Sequence, residues 1–418
     1  MKILVLSNNE LSLTNAGGNT FANWLTGWPE AEISSLYLRS TIPHNQFCDS
    51  YYRVSPTSLL RHFFTPWKIG AFCNKNEVIN LGESKVEASL VTKTKLSKNS
   101  FFHVVNDILV SLKFWQNKRY KEYIKDFNPD IVFYFAKADA FIYHNLKYLK
   151  QHTNTKFVAF FADDMYSIYQ DKGIMNWIRR HRYPKMMNMG DLNFGASVMM
   201  CDTYTKRFGI PMTPLYKGCQ LTAPKTTVNK PIRIVYAGNL FYGREQTLAR
   251  IAKALKQINK EEVVALLEIY TNAFISDEID ALLNISGASK IMGSRPYSEI
   301  QQILKECDIV LHVESFKSEN IKIVRLSYST KISDCMQSGS AILVVGPNGI
   351  ASVEELENVP GTKVVTDENE IEDELRSLLK NPNQLTEMAK ESNNFARKSF
   401  SIEQVQGKLQ REFSKLIK

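Results

Sequence analysis

Residues 231–244 constrain the fold more than any other stretch of the chain. An apolar, β-branched run stops at Gly238, and Arg244 follows a second glycine just before a helical pattern begins. This order predicts a strand, a glycine turn and a helix N-terminus. Such a turn presents backbone N–H groups and the helix dipole to anionic oxygens, and the arginine adds a planar set of donors. Its position near mid-chain indicates the first strand of a second domain.

A similar pattern opens the chain. Residues 1–7 have the apolar composition of a buried strand, and Gly17 and Gly18 precede a helical pattern that starts near Phe21. Two such openings half a chain apart favour two similar α/β domains over one large sheet.

Strands and helices alternate along most of the sequence, as expected for parallel sheets covered by helices. In the first half we predict strands at 130–135, 157–161 and 195–201, with helices around 139–151 and 203–208. In the second half we predict strands at 232–237, 265–270, 308–313, 341–345 and 362–365. The sequence therefore indicates an α/β fold throughout.

The segment before the second opening contains prolines and glycines, lacks helical periodicity, and is the best candidate for a linker. The chain has 418 residues, of which 44% are hydrophobic, so it is long enough for two domains of ordinary size. We divide it into an N-terminal domain (1–217), a linker (218–230), a C-terminal domain (231–395) and a last helical segment (396–418) that we expect to return to the N-terminal domain.

Composition narrows the environment and the partners. The apolar run at the N-terminus is too short for a signal peptide, and no later run reaches the ~20 apolar residues of a membrane span, so we expect a cytoplasmic protein. The six cysteines are scattered without a C-x-x-C pair, which favours reduced, buried thiols over zinc ligands. A net charge of +9 favours polyanionic partners without choosing among phosphorylated substrates, anionic lipid and nucleic acid.

Four features that each follow a predicted strand are candidates for one ligand site, because open α/β sheets bind ligands beyond the carboxyl ends of their strands. They are the Gly17-Gly18 loop, the Asp163-Asp164 pair, the turn from Gly238 to Arg244, and the segment 314–339. In the last of these, Ser329 or Thr330 is suited to cap a helix whose first amides, with Lys331, would hold a diphosphate. Asp334, one turn further on, is suited to accept hydrogen bonds from ribose hydroxyls.

Two segments, 56–72 and 101–123, interleave aromatic and basic residues. One interpretation is a pair of amphipathic helices packed on the N-terminal domain. The other is contact with a membrane or a lipid-linked acceptor. The sequence leaves both open.

The segment Ser329-Thr-Lys-Ile-Ser-Asp-Cys-Met-Gln-Ser-Gly339, which precedes the strand beginning Ala-Ile-Leu, resembles the donor-site segment of GT-B glycosyltransferases of the family-4 type. The likeness extends to Ala237-Gly-Asn-Leu240 and to Pro129-Asp-Ile-Val132, and the order of elements agrees over nearly the whole chain. It implies two facing Rossmann-like domains with an interdomain cleft and C-terminal helices. It also implies retaining transfer from a nucleotide sugar without an essential metal.

The resemblance assigns roles to particular residues. The donor site would comprise Gly238, Asn239, Arg244, Ser329, Thr330, Lys331 and Asp334, with Arg244 and Lys331 on the diphosphate and Asp334 on the ribose. Asp163 or Asp164 would lie near the acceptor hydroxyl, and Gly17 and Gly18 would allow close backbone approach across the cleft. Family members often carry two glutamates separated by seven residues. Here Leu326 stands at the first position, so Glu319 or Glu314 would take the donor-sugar role from a longer loop.

We therefore expect a glycosyltransferase of polysaccharide or glycoconjugate biosynthesis. It would move a sugar from a UDP- or GDP-linked donor to a saccharide or lipid-linked saccharide. The protein would also make peripheral contact with the inner face of the cell membrane. The alternatives are another GT-B enzyme, such as a nucleotide-sugar epimerase, and a catalytically inactive sugar-nucleotide-binding module at a membrane assembly. Neither glycine turn reads G-x-G-x-x-G, which argues against a dehydrogenase, and we expect no cofactor and no nucleic-acid partner.

Overall fold

The computed structural model of the chain describes residues 1–12, 16–41, 43, 47–75, 100–168 and 173–418. The chain divides into two compact units. The first comprises Met1–Gly195, Cys201–Leu215 and Gln406–Lys418, and the second comprises Ala196–Met200 and Tyr216–Val405. Residues 218–230, predicted as a linker, thus belong to the second unit, as do residues 396–405.

The first unit is built on a mixed sheet of eight strands. In chain order they are β1 (Lys2–Ser7), β2 (Glu32–Leu38), β3 (Ser50–Val54), β4 (Ala71–Asn74), β5 (Ile131–Phe135), β6 (Lys156–Phe161), β7 (Leu192–Gly195) and β8 (Thr213–Pro214). The order across the sheet is β4-β3-β2-β1-β5-β6-β7-β8, and all neighbours pair in parallel except β3 and the edge strand β4. The central strands are apolar on both faces because helices cover both sides of such a sheet.

Eight α-helices are described in the first half of the chain, and some of them cover this sheet. They are α1 (Ala16–Leu25), α2 (Pro56–Arg61), α3 (Ser100–Ser111), α4 (Lys118–Phe127), α5 (Ala140–His152), α6 (Met165–Ile168), α7 (Ile174–Met187) and α8 (Val198–Phe208), with a 3-10 turn at Pro66–Lys68. Aromatic side chains fill much of the space between helix α1 and the sheet. The ring of Phe21 contacts that of Phe133 at 4.8 Å, and Trp24 packs beside it.

The second unit contains a six-stranded, fully parallel sheet. Its strands are β9 (Ile232–Ala237), β10 (Ala265–Tyr270), β11 (Ser289–Gly293), β12 (Ile309–Val313), β13 (Ala341–Val345) and β14 (Thr362–Val365), in the order β11-β10-β9-β12-β13-β14. The remaining helices are α9 (Arg244–Ile258), α10 (Asp277–Leu283), α11 (Tyr297–Glu306), α12 (Ser318–Val324), α13 (Lys331–Gln337), α14 (Ala351–Glu357), α15 (Ile371–Leu379), α16 (Pro382–Ser399) and α17 (Ile402–Leu416). This is the Rossmann strand order, and it reverses direction between β9 and β12.

The predicted α/β fold with two Rossmann-like sheets is confirmed, and four strands of the second unit, β9, β10, β13 and β14, have the predicted bounds. The strand predicted at 195–201 is wrong: β7 ends at Gly195 and helix α8 begins at Val198. The physical reason is a helix cap, since the Ser197 Oγ accepts a hydrogen bond from the Met200 amide at 3.0 Å.

The structure also bears on the expectations for the cysteines and for membrane-spanning segments. All six cysteines are thiols that form no disulfide, and five of them are buried. Within the described ranges, no helix combines the length and the apolar character needed to cross a bilayer.

Candidate functional site

A cavity of about 340 Å³ opens in the second unit at the carboxyl ends of β9 to β12. Its wall is formed by residues that directly follow or end these strands, including Gly238, Thr271, Arg295 and Val313. It therefore lies where the strand order of the sheet reverses, which is where parallel α/β sheets bind their ligands. Its volume is also in the range of small-molecule sites.

The structure brings most of the predicted donor-site residues to this cavity, although they come from two distant parts of the sequence. Its lining includes Gly238, Asn239, Arg244, Ser329, Lys331 and Asp334. Thr330 and Glu319 are exposed, and neither belongs to the lining. The glycine turn after β9 and the start of α13 thus both contribute to the wall of this cavity.

Arg244 is the first residue of α9 and is held by a buried carboxylate. Its Nη2 donates to Oε1 of Glu314 at 2.8 Å, and its Nε donates to Oε2 at 3.2 Å and to the Val313 carbonyl at 3.2 Å. Its Nη1 donates to Oδ1 of Asn239 at 2.9 Å. Within the described part of the chain, one N–H on each Nη of Arg244 therefore remains without a partner.

The pKa values of this pair reflect their mutual contact. Burial alone would lower the pKa of Arg244, but the Glu314 carboxylate raises it above its ordinary value. Burial alone would raise the pKa of Glu314, but His312 and Arg244 lower it. The Nε2 of His312 lies 3.4 Å from Oε1 of Glu314. Glu314, one of the two candidates for a donor-sugar ligand, is thus engaged with Arg244 and His312.

Lys331, the first residue of α13, has a different environment. Its Nζ lies against Gly238, so closely that a Cβ on that glycine would overlap it, and 5.7 Å from the centre of the Tyr236 ring. No residue in the described ranges forms a hydrogen bond or an ion pair with this Nζ. Burial, followed by repulsion from Arg244, lowers the pKa of Lys331 to about 8. An ammonium group in this position is suited to an anionic ligand.

The backbone of the turn after β9 is partly used inside the protein. The Gly238 amide donates to the Tyr270 carbonyl at 2.9 Å, and the Phe241 amide donates to Oδ1 of Asn239 at 3.2 Å. Gly243 closes the turn in the left-handed region, with φ of 75°, where glycine is favoured. The amides of Gly238 and Phe241 are thus not available to a phosphate, contrary to the simplest form of the sequence prediction.

Asp334 lies at the rim of the cavity. Its Oδ1 accepts a hydrogen bond from the Tyr297 hydroxyl at 2.7 Å and lies 3.6 Å from Nζ of Lys217. Burial and then the Asp334 charge raise the pKa of Tyr297, which keeps the hydroxyl protonated as a donor. A carboxylate with a second oxygen beside the cavity fits the predicted role of ribose ligand.

The predicted cap of α13 takes a different form. Thr330 has a helical backbone, with φ of −59° and ψ of −17°, and its side chain makes no cap hydrogen bond. The Ser329 Oγ instead accepts from the Lys331 amide at 3.4 Å. Of the two predicted caps, only Ser329 contacts the start of the helix through its side chain.

The two predicted aspartates belong to the first unit and differ in environment. Asp164 is buried, and its Oδ1 accepts from the Tyr204 hydroxyl at 2.6 Å and from the Ser167 amide at 3.1 Å. It therefore caps the short helix α6. Asp163 is exposed, and its carbonyl accepts from the Met165 amide.

The predicted loop at Gly17 and Gly18 is wrong, because helix α1 begins at Ala16 and both glycines lie in its first turn. Gly18 is buried against the backbone of Ser12, and a Cβ there would overlap the Ser12 carbonyl. The close backbone approach expected at this glycine is thus made within the first unit.

Sequence reasoning missed several residues of the cavity wall, namely Tyr236, Thr271, Asn272, Ser294, Arg295 and Tyr297. Thr271 and Asn272 directly follow a strand whose bounds were predicted, so their position at the carboxyl end was an available signal. Arg295 follows β11, which was not predicted, and had no such signal.

No protein-family model matches the chain, and no curated protein sequence matches it. Solved structures do match over its whole length, and they define the fold as that of the GT-B glycosyltransferases. HepE from Anabaena in complex with UDP matches with a TM-score of 0.64 and 12% identity, covering 99% of this chain and 100% of that chain. Sucrose-phosphate synthase from Thermosynechococcus elongatus matches with a TM-score of 0.63 and 10% identity, covering 100% and 99%. A glycosyltransferase from Rickettsia africae matches with a TM-score of 0.59 and 13% identity, covering 100% and 99%.

Proposed function

We propose that this protein is a glycosyltransferase that moves a sugar from a nucleoside diphosphate sugar to a hydroxyl of a saccharide or lipid-linked saccharide. The observation that carries the proposal is the Lys331 ammonium, which lies in the cavity at the carboxyl ends of β9 to β12 without a hydrogen-bond or ion-pair partner among the residues that the structure describes. An anionic ligand would supply that partner. HepE, which shares the fold, has been solved with UDP, and this supports a nucleoside diphosphate as the anion.

The roles of the cavity residues follow from their contacts. Lys331 binds the diphosphate directly, and Arg244 contributes its charge and its two remaining N–H groups while Glu314 fixes its position. Asp334 binds the ribose through the oxygen that Tyr297 does not use. As the bond to the sugar breaks, negative charge grows on the leaving diphosphate, and Lys331 stabilises it where water is largely excluded. Transfer with retention is the stereochemistry that the family-4 resemblance favours.

On the acceptor side, Asp163 is a better candidate than Asp164. Asp164 is buried and already accepts hydrogen bonds from Tyr204 and Ser167, whereas Asp163 is exposed. An exposed carboxylate can take the proton of an acceptor hydroxyl or stabilise positive charge on the sugar. Asp163→Asn is therefore expected to lower transfer while nucleotide binding persists, and Asp164→Asn is expected to lower stability as well.

A thermal-shift and calorimetric titration tests the donor site with UDP, GDP, ADP and CMP and their common sugar conjugates. A ligand present at 100 times its Kd stabilises the folded state by about 2.7 kcal/mol. Lys331→Ala is expected to weaken binding about tenfold or more, the size of a charge-assisted contact. Lys253→Ala, an exposed lysine on α9, is the matched control and should bind as the wild type does. The absence of any shift with all of these nucleotides would contradict the proposal.

A catalytically inactive, nucleotide-binding module is the second candidate. Leu326 is buried at the position where relatives often carry the first glutamate, and Glu314 is engaged with Arg244, so the donor sugar lacks an obvious carboxylate ligand. Release of the free nucleotide from its sugar conjugate in the presence of saccharide acceptors distinguishes the two. Turnover supports the enzyme, and tight binding without turnover across the acceptor set supports the module.

A further inference from the structure

Part of the surface of the first unit exposes several large apolar side chains. Helix α2 packs against α3, and Leu59 is fully buried on its inner side. The apolar patch comprises Leu60, Phe63, Phe64, Trp67 and Leu112. Phe64 is 89% exposed and Trp67 is 59% exposed. Leu60 lies in the last turn of α2, Phe63 and Phe64 lie in the turn that follows it, and Trp67 lies in the 3-10 turn Pro66–Lys68.

The patch is held in place by specific contacts. The Phe63 ring contacts the Phe114 ring at 5.1 Å and the Phe64 ring at 5.2 Å. The Asn117 side chain donates to the carbonyls of Pro66 and Ile69 at 2.7 and 2.8 Å, which fixes the 3-10 turn that carries Trp67. The outward orientation of these aromatic groups is therefore a feature of a packed structure.

The two chain segments that carry the apolar patch contain basic residues and no acidic ones, and exposed Glu122, next to the second segment, pairs with Lys118 at 3.7 Å. No Asp or Glu occurs between Ser50 and Lys75 or between Ile108 and Lys121. The exposed basic residues of these two segments are Arg61, Lys68, Lys113, Lys118, Arg119 and Lys121. A protein–protein interface is usually depleted in lysine, whereas a surface that meets an anionic bilayer combines aromatic groups with lysine and arginine.

We propose that the apolar patch and its basic surround dock the protein on an anionic lipid bilayer. Phe64 and Trp67 enter the interfacial region, where aromatic side chains are favoured, and Arg61 and Lys68 meet the lipid phosphates. The contact is peripheral and depends on both apolar burial and charge. It is independent of the donor cavity, so nucleotide binding and vesicle binding can succeed or fail separately.

Vesicle co-sedimentation tests the proposal with the full-length protein. Binding is expected to vesicles of equal parts phosphatidylcholine and phosphatidylglycerol, with little binding to phosphatidylcholine alone. Raising the salt from ~0.1 M to ~1 M shortens the screening length from ~10 Å to ~3 Å and should release the protein. Arg61→Glu with Lys68→Glu should weaken binding by about tenfold or more, since each basic group near the surface contributes about fivefold.

Substitutions of exposed aromatic residues test whether vesicle binding depends on the apolar patch or on any exposed apolar side chain. Phe64→Ser with Trp67→Ser should weaken vesicle binding by about tenfold or more and leave the melting temperature unchanged, because both side chains are exposed. Phe274→Ser is the matched control, as Phe274 is 87% exposed but lies in the second unit. It should bind vesicles as the wild type does.

Tryptophan fluorescence gives a second readout that needs no change in the patch. Trp24, Trp28 and Trp115 are buried, whereas Trp67 and Trp177 are exposed. In a Trp177→Phe variant, anionic vesicles should shift the emission to shorter wavelength through Trp67. Equal binding to neutral and anionic vesicles, or patch variants that bind like the wild type, would overturn the proposal. Self-association that the patch variants abolish, without vesicle binding, would also overturn it and assign the patch to a second copy of the chain.

Discussion

Arg244, in the wall of the candidate donor cavity, forms a buried ion pair with Glu314. Two hydrogen bonds of 2.8 and 3.2 Å join the guanidinium to the carboxylate, and the Glu314 carbonyl accepts a third from the Thr247 hydroxyl at 2.8 Å. The end of β12 is thereby tied to the first turn of α9. The pair fixes the geometry of the turn from which Gly238 faces Lys331.

Breaking this pair on one side should be costly. Arg244→Met is expected to lower the free energy of unfolding by about 3–5 kcal/mol, because it removes the guanidinium that pairs with the buried Glu314 carboxylate. The double variant Arg244→Met/Glu314→Leu should recover most of this loss, since apolar pairs often replace buried ion pairs at little cost. Urea denaturation measures both.

The more exposed pair of Arg233 and Glu268 provides the control for this comparison. Its Nε–Oε1 distance of 2.9 Å is similar, but both side chains are partly exposed. Arg233→Met should therefore cost about 1 kcal/mol or less. A double variant at Arg244 and Glu314 that is as unstable as Arg244→Met alone would contradict the reasoning.

Gly238→Ala tests the contact between the glycine turn and Lys331. Gly238 does not have a left-handed φ, so its backbone accepts an alanine, but the new Cβ would overlap the Lys331 Nζ and lie 2.7 Å from the Tyr236 hydroxyl. The flexible lysine should move, and nucleotide affinity should fall by about tenfold. Calorimetric titration with the best nucleotide measures the change.

Gly407→Ala is the matched control for that substitution. Gly407 lies in helix α17, where a Cβ would meet only the Arg411 Nη1 at 3.5 Å. The variant should gain about 0.5–1 kcal/mol of stability from helix propensity, with unchanged nucleotide binding. If Gly238→Ala binds nucleotide as tightly as Gly407→Ala does, Lys331 has no role that depends on this contact.

The strands of the second unit could be predicted because their residues carry a strong local signal. β13 is a continuous apolar run, and β9 is an apolar, β-branched run interrupted only by Arg233, as expected for parallel strands in a covered sheet. β11 was missed because its sequence, Ser-Lys-Ile-Met-Gly, has only two apolar residues and lies at the edge of the sheet. The run at 195–201 was misjudged because a short apolar segment suits strand and helix equally.

The site could be predicted only in part, because its decisive contacts join residues far apart in the sequence. Gly238, Lys331 and Asp334 were identified from local patterns, and the structure brings them to one cavity. The pairing of Arg244 with Glu314 depends on how α9 packs against β12, and no local pattern encodes it. The depressed pKa of Lys331 likewise depends on its burial against Gly238.

Lys331 should reduce stability in the absence of ligand. Its pKa is lowered from 10.5 to about 8 by burial and then by Arg244, so the folded state holds this proton less tightly than the unfolded chain does. The cost is full below pH 8 and disappears as the pH rises from 8 towards 10.5. Lys331→Met should therefore raise the free energy of unfolding at pH 7 by about 1–3 kcal/mol while weakening nucleotide binding.

Melting temperatures measured from pH 7 to pH 10 check this prediction. The advantage of Lys331→Met over the wild type should shrink as the pH rises. Lys253→Met, at an exposed position of α9, should show no such trend. A constant difference between Lys331→Met and the wild type at all pH values would exclude a buried charge as the cause.

Glu355 gives a pH dependence of the same kind with the opposite charge. Its carboxylate accepts from the Val198 amide at 2.7 Å and from the Tyr216 hydroxyl at 2.6 Å, and burial raises its pKa from 4.5 to about 7. The folded state thus binds this proton more tightly than the unfolded chain, so the associated stability is present below pH 4.5 and is lost as the pH rises through 7. Glu355→Gln removes the charge, and its amide oxygen can still accept from the Val198 amide while its NH2 group can donate to the Tyr216 hydroxyl oxygen. The melting temperature of Glu355→Gln should exceed that of the wild type increasingly from pH 5 to pH 8, by an amount equivalent to about 1–2 kcal/mol.

Glu357→Gln is the matched control, because Glu357 is an exposed residue on the same helix. Its melting temperature should follow that of the wild type at every pH. A parallel trend in both variants would assign the effect to net charge rather than to burial of Glu355.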